Sequence, residues 1–227
     1  MTPQRLAILR RALDRRQPDL TLLAENTQKT HNIAALLRTC DAVGVSELHA
    51  VADEPVRRHH MVSAGSHKRV PVIRHASESD ALAQLRSNGL RLLAAHLSPS
   101  AVDFREVDYT QPCAIIVGSE LFGVSATAAQ LADQHIRIPM KGLVESLNVS
   151  VAAALVLYEA LRQRERAGLY DRCRLDRQTY DRLLFEWGYP RIAHRCRQLG
   201  VPYPRLADDG SIVENTFTLR TGDLPHA

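Results

Sequence analysis

The sequence predicts an α/β domain on a mostly parallel sheet, and three observations carry that prediction. Strand-like apolar runs alternate with helical ones between residues 19 and 167, the order that a sheet with covering helices requires. Residues 113–118, CAIIVG, are apolar throughout, as a strand covered on both faces should be. Residues 32–43 put Ile33, Leu36, Leu37 and Val43 on one helical stripe, and Gly44 follows where a left-handed residue ends a helix.

In chain order, Leu6, Leu9 and Leu13 stand at helical spacing among arginines, with Pro18 as a stop, which predicts a basic amphipathic helix over 1–18. DLTLLA reads as the first core strand and NIAALLRTCDAVGV as the first core helix. ELHAV and VPVI read as strands, SDALAQLRSN as a helix, and LRLLAAHL and CAIIVG as strands again. SATAAQLAD, HIRIP and LNVSVAAALVLYEALRQRER complete the core as helix, strand and helix. The last of these, 147–166, opens apolar nearly all round, so its first half belongs to a core or a subunit interface. After Gly168 come two helical pieces, DRQTYDRLLFEW and PRIAHRCRQLG, while 201–227 shows no clear period. The organisation expected is 1–18, a core of 19–167, and a helical extension with a tail over 168–227.

The chain has 227 residues, 45% hydrophobic and 24% charged, ordinary values for a folded core that exclude a disordered or fibrous chain. Cys40, Cys113, Cys173 and Cys196 are too scattered for zinc-ligand spacing, so reduced thiols and no metal are expected. No stretch approaches the 18 or so apolar residues of a membrane span, and the N-terminus is too rich in arginine for a signal segment. A cytoplasmic, membrane-free protein is expected. The net charge of +4 is small, but arginines crowd 5–16 and 162–177, a distribution that suits phosphate contacts or, equally, solvated helix faces.

Three motifs carry chemistry. IVGSELFG, 116–123, puts glycines directly after a buried strand, where backbone can approach a ligand, with Glu120 as an acceptor for a hydroxyl or amine. It lacks the G-x-G-x-x-G spacing, which argues against a dinucleotide enzyme. IPMKGLVESLNVS, 138–150, ends a strand at Pro139 and leads through Gly142 into a helix, with Ser146 as the expected N-cap and Asn148 in want of polar partners. NIAALLR, 32–38, opens the first core helix; Asn32 and Arg38 differ by about 120° around its axis, so they do not share a face unless Asn32 stands at the cap. Each motif alone also has a purely architectural explanation.

Together, in this order and spacing, the three motifs resemble the SpoU/TrmH branch of the SPOUT methyltransferases over about residues 19–167. The segment AAHLSPSAVDFREVDYTQP adds to the likeness. The arginine-rich start and the extension after Gly168 resemble members that methylate the tRNA D-loop guanosine, whereas ribosomal-RNA members usually carry a separate substrate domain and wobble-position members are little more than the core. The resemblance implies a deep trefoil knot in the last third of the core and a homodimer through the last knot helix. It implies S-adenosylmethionine as methyl donor and S-adenosylhomocysteine as product. Cofactor contacts map to His96 and Leu97, to Gly118, and to Ile138, Met140, Gly142, Leu147 and Asn148. Arg38 maps to the catalytic centre, with Asn32, Glu120, Ser146 and Asn148 assisting. A guanidinium of pKa about 12.5 or more is a poor base, so an electrostatic role for Arg38 is expected. The candidates for tRNA phosphates are Arg5, Arg10, Arg11, Arg15, Arg16, Arg162, Arg164 and Arg166.

Overall fold

A computed structural model describes residues 1–27, 29–51, 65–119 and 122–213. Helices α1 to α7 span Pro3–Asp14, Thr30–Val43, Glu78–Ser87, Ala126–Leu131, Val149–Arg166, Arg177–Gly188 and Pro190–Leu199. Strands β1 to β7 span Leu20–Glu25, Leu48–Val51, Val72–His75, Arg91–Ala95, Val102–Asp103, Cys113–Val117 and Gln134–Arg137. The chain falls into two compact units, one of Arg15–Arg174 and one of Met1–Asp14 with the chain from Leu175.

The larger unit holds one seven-stranded sheet in the order β3-β2-β1-β6-β4-β7-β5, every neighbouring pair parallel. Its central strand shows why CAIIVG is apolar throughout. Cys113, Ile115 and Val117 enter a cluster with Leu36 and Leu37 of α2 and Val156 and Leu157 of α5. Ala114 and Ile116 enter the opposite cluster with Leu82 and Leu85 of α3 and Ala128 of α4. Helix α2 ends at Gly44 with φ 84°, and a Cβ there would lie 2.5 Å from the Arg15 carbonyl, so conformation and space both require glycine.

Most element ends fall within two residues of the expectation, and three differences bear on how the units are built. Helix α1 stops at Asp14, well before Pro18, because the next residues belong to the sheet unit: Gln17 bridges Val45 in parallel, and Arg16 is buried against Asp41. Helix α5 is capped by Asn148, whose side chain accepts from the Ser150 amide, so Ser146 is not the cap. The two-residue β5 falls where the pattern reads as loop, being too short to show a period.

In the smaller unit, Leu6, Leu9 and Leu13 of α1 pack with Leu184 and Trp187 of α6. Asp176 caps α6 by accepting from the Thr179 amide, Pro190 opens α7, and Gly200 ends it with φ 65°. No described helix is long and apolar enough to cross a membrane.

Candidate active site

The strand order reverses between β1 and β6: β2 and β3 lie to one side, β4, β7 and β5 to the other. In a parallel sheet such a switch leaves a crevice beyond the carboxyl ends of the strands. The chain leaving β1, β4, β6 and β7 emerges at that edge, and these four exits hold the start of α2, 96–97, 118–125 and 138–148. The sheet therefore gathers all three sequence motifs at one edge.

The exit from β6 is held at both ends. A Cβ on Gly118 would lie 1.8 Å from the Gly123 carbonyl oxygen, so no other residue allows the loop to close. The Ser119 and Gly123 backbones exchange hydrogen bonds of 3.0 and 2.9 Å. At the far end Glu25, buried at the tip of β1, accepts from the Ser125 amide at 2.8 Å and the Ser125 hydroxyl at 3.1 Å, while Ser125 Oγ caps α4. Glu120 lies outside the described residues.

The exit from β7 is open. No backbone hydrogen bond joins residues 138–147 to another described residue. Lys141 to Ser146 are exposed, with Leu143 and Val144 among the most exposed apolar residues. The loop ends at Asn148, which accepts from the Ser150 amide and hydroxyl at 2.9 and 2.5 Å and donates to Asn32 Oδ1 at 3.2 Å. Asn32 is buried in the first turn of α2, so this bond ties the first motif to the third. Arg38 is exposed on the same helix, about 9 Å further along its axis at the usual rise. It makes no hydrogen bond or ion pair to another described residue. Ile138, Met140 and Leu147 are half-buried and Gly142 is exposed; Leu97 is exposed beside half-buried His96, whose ring meets His135 edge-on at 5.1 Å.

Of the arginines expected at phosphates, two are corrected by burial. Arg16 donates to the Val45 carbonyl and to Asp41, and burial lowers its pKa against the pull of Asp41. Arg164 is fully buried and donates to Tyr109, Gln17, Asp19 and Gln111. Both are structural ions, out of reach of a polyanion. In the larger unit Arg15, Arg162 and Arg166 are exposed, Arg162 in a pair with Glu159. In the smaller unit Arg11 is exposed, Arg5 donates to the Trp187 carbonyl and Arg10 to that of Asp208.

Sequence reasoning passed over Glu25, Ser125 and His135. The available signal for Glu25 was an acid closing a strand that is apolar apart from Thr21. Burial raises the Glu25 pKa from its ordinary value, although both Ser125 bonds pull it down. A raised carboxyl contributes stability that is complete below the ordinary carboxylate range and lost as pH rises through the raised value. Glu25→Gln should flatten that part of the stability curve, measured by urea denaturation at stepped pH; an unchanged curve would separate Glu25 from the pH dependence.

Backbone donors and acceptors over 138–147 that no other described residue takes up, with Leu143 exposed among them and a glycine-lined turn at the same sheet edge, suit a ligand with apolar and polar parts bound mainly through main chain. Among the described residues no group of three or more His, Cys, Asp or Glu is placed to hold a metal ion. Residues 19–158 match the SpoU rRNA Methylase family, and residues 162–215 match the SpoU, rRNA methylase, C-terminal family. The chain is 49% identical over 215 residues to the tRNA (guanosine(18)-2'-O)-methyltransferase of Escherichia coli K12, covering 93% of this chain and 94% of the relative. It is similar to the crystal structure of the A. aeolicus TrmH/SpoU tRNA modifying enzyme, with TM-score 0.78 and 41% identity, over 83% of this chain and 97% of that one. The SpoU methyltransferase AviRb from Streptomyces viridochromogenes in complex with the cofactor AdoMet gives TM-score 0.60 and 28% identity, over 67% and 62%.

Proposed function

We propose, since the chain belongs to the SpoU rRNA methylase family, that it is the S-adenosylmethionine-dependent enzyme that methylates the ribose 2′-hydroxyl of guanosine 18 in tRNA. The observation that carries this reading is the Asn148–Asn32 hydrogen bond at the switch edge, which draws the first and third motifs together beside the glycine turn. The residues suit the cofactor: main-chain groups of Ile138, Met140, Gly142 and Leu147, with His96, Leu97 and Gly118, would hold it, and Asn148 would fix the loop. S-adenosylmethionine supplies an electrophilic methyl group on a sulfonium.

The chain's own task is to orient the 2′-oxygen and to stabilise the charge that builds on it as its proton leaves. Arg38 does this electrostatically, gripping the neighbouring phosphate, and the proton passes to phosphate or water. Asn32 holds Asn148, and Ser146 lies in the loop two residues before that cap. Glu120, outside the described residues, is assigned by the family resemblance to ordering its loop and not to taking the proton; a pH–rate profile of Glu120→Gln distinguishes this role from that of a general base. Arg5, Arg10, Arg11, Arg15, Arg162 and Arg166 contact tRNA phosphates, a cytoplasmic task.

A homodimer through α5 is supported by Val151, Leu155 and Tyr158, which expose 47, 41 and 53% of their surface at helical spacing. Light scattering at the mass of one 25.3 kDa chain would remove this element. A trefoil knot is supported by the return of α5 from the β7 side of the sheet to the α2 face; a traced backbone that pulls free of crossings would remove it. The deciding experiment is incubation with S-adenosylmethionine and an unmodified tRNA transcript, with mass-spectrometric mapping of the product. One 2′-O-methyl group at guanosine 18 is expected; methylation confined to ribosomal RNA fragments would overturn the substrate.

A further inference from the structure

The smaller unit contains a cleft of about 660 Å³ whose walls come from α1, α6, α7 and the segment that follows α7. Five arginines line it: Arg10, Arg177, Arg182, Arg197 and Arg205, against two aspartates, Asp181 and Asp208. Positive charge therefore dominates the cleft, although the unit's sequence alternates acids and bases. The arginines are held in different ways. Arg177 is paired with Asp181 at 2.7 Å on an exposed helix face. Arg182 and Arg197 share one carboxylate, that of Glu186, at 3.3 and 3.5 Å. Arg10 is fixed by a carbonyl, which orients the guanidinium without neutralising it. Arg205 is exposed and makes no side-chain hydrogen bond or ion pair to another described residue.

The wall is stiff. Pro202 and Pro204 fix the backbone on either side of Tyr203. The Tyr203 ring stacks on Phe185 at 4.9 Å, and its hydroxyl donates to Glu186 at 2.9 Å while accepting from Arg197 at 2.8 Å. This wall, with Arg197 fixed on it, is in place before an anion arrives, so less freedom is lost in forming it. The combination of guanidinium forks with an aromatic wall is that of sites for unpaired nucleic acid, where arginines track the phosphates and rings meet bases. The cleft volume is that of one or two nucleotides, far too small for a duplex groove.

We propose that this cleft binds a short unpaired stretch of the tRNA substrate, its phosphates on Arg177 and Arg205 and a base against the Tyr203 wall. The inference rests on the tRNA reading above and extends it, assigning substrate capture to a site outside the methyl-transfer edge. Arg177 closes the arginine-rich stretch 162–177, whereas Arg182, Arg197 and Arg205 are spread along the chain and join it only where the fold closes the cleft.

The test compares the full-length protein with Arg177→Gln/Arg205→Gln. Both side chains are exposed and neither holds the Glu186–Tyr203 wall, so the variant should fold, and an unchanged affinity for S-adenosylmethionine by calorimetry confirms that the other unit is intact. The dissociation constant for unmodified tRNA should rise about tenfold, and the slope of log affinity against log salt should fall by about 1.4, roughly 0.7 for each single-strand phosphate that no longer meets an arginine. KM for tRNA should rise with kcat unchanged. An unchanged tRNA affinity and salt slope would overturn the proposal and leave the cleft to an acidic protein segment. Because binding is read without turnover, the two ideas fail separately: wild-type protein that binds tRNA through the cleft without methylating it would sink the enzymatic reading alone.

Discussion

Arg38→Lys should lower kcat by about 100- to 1000-fold while leaving S-adenosylmethionine affinity unchanged, the loss expected when one group that stabilises transition-state charge is removed. Lysine keeps the positive charge but not the planar fork, so the substitution isolates geometry from charge. The side chain is exposed on α2 without a bond to another described residue, which makes the experiment interpretable: substitution at such a position should shift stability by no more than about 0.5 kcal/mol. Lost turnover therefore reports on chemistry, not on unfolding. Arg38→Ala should behave similarly and recover part of its rate when guanidinium ion is added. Near-normal turnover in Arg38→Lys would show that no specific guanidinium geometry is used, and the electrostatic assignment would fall.

How far Arg38 was legible in the sequence is instructive. Its place in NIAALLR marked it only through resemblance; its helical direction, about 120° from Asn32, argued that the two do not act from one face. The structure agrees: Asn32 turns inward to Asn148 and Arg38 outward. The sheet strands and most helices were legible because burial imposes a period, and the glycine that ends α2, Gly44, announces itself by residue type. Burial of individual charges was not. Arg16 and Arg164 sit in runs of arginine that look alike in one dimension, and only the fold decides which of them turns inward. The Glu25–Ser125 bond spans 100 residues, a separation that no local pattern encodes. The N-cap of α5 was misplaced by two residues because Ser146 and Asn148 are both good caps, and the choice between them depends on the partner that Asn148 finds on α2.

Arg164→Met should destabilise the Arg15–Arg174 unit by about 3 to 5 kcal/mol, the range for breaking a buried ion pair by removing one partner. The guanidinium is wholly buried and spends its five N–H donors on five acceptors: the Tyr109, Asp19 and Gln111 carbonyls, Gln17 Oε1 and Asp19 Oδ1. Methionine fills comparable space and makes none of these bonds, which leaves carbonyls buried without donors. Arg174 still reaches Asp19 at 2.6 and 2.8 Å, so the carboxylate is not abandoned, and the loss belongs near the lower end of the range. Burial raises the Asp19 pKa, but the bonds from Arg174 and Arg164 outweigh it and hold the carboxyl below its ordinary value. Stability from this group is thus complete above the ordinary carboxylate range and lost as pH falls through the lowered value, and Arg164→Met should weaken that acid dependence. Urea denaturation at pH 7 and at stepped acid pH measures both effects. Arg166→Gln, two residues on and exposed, should leave the urea midpoint in place and weaken tRNA binding instead. If Arg164→Met kept wild-type stability and lost tRNA affinity, Arg164 would be a surface contact after all and the buried network would not be what ties the end of α5 to the start of β1.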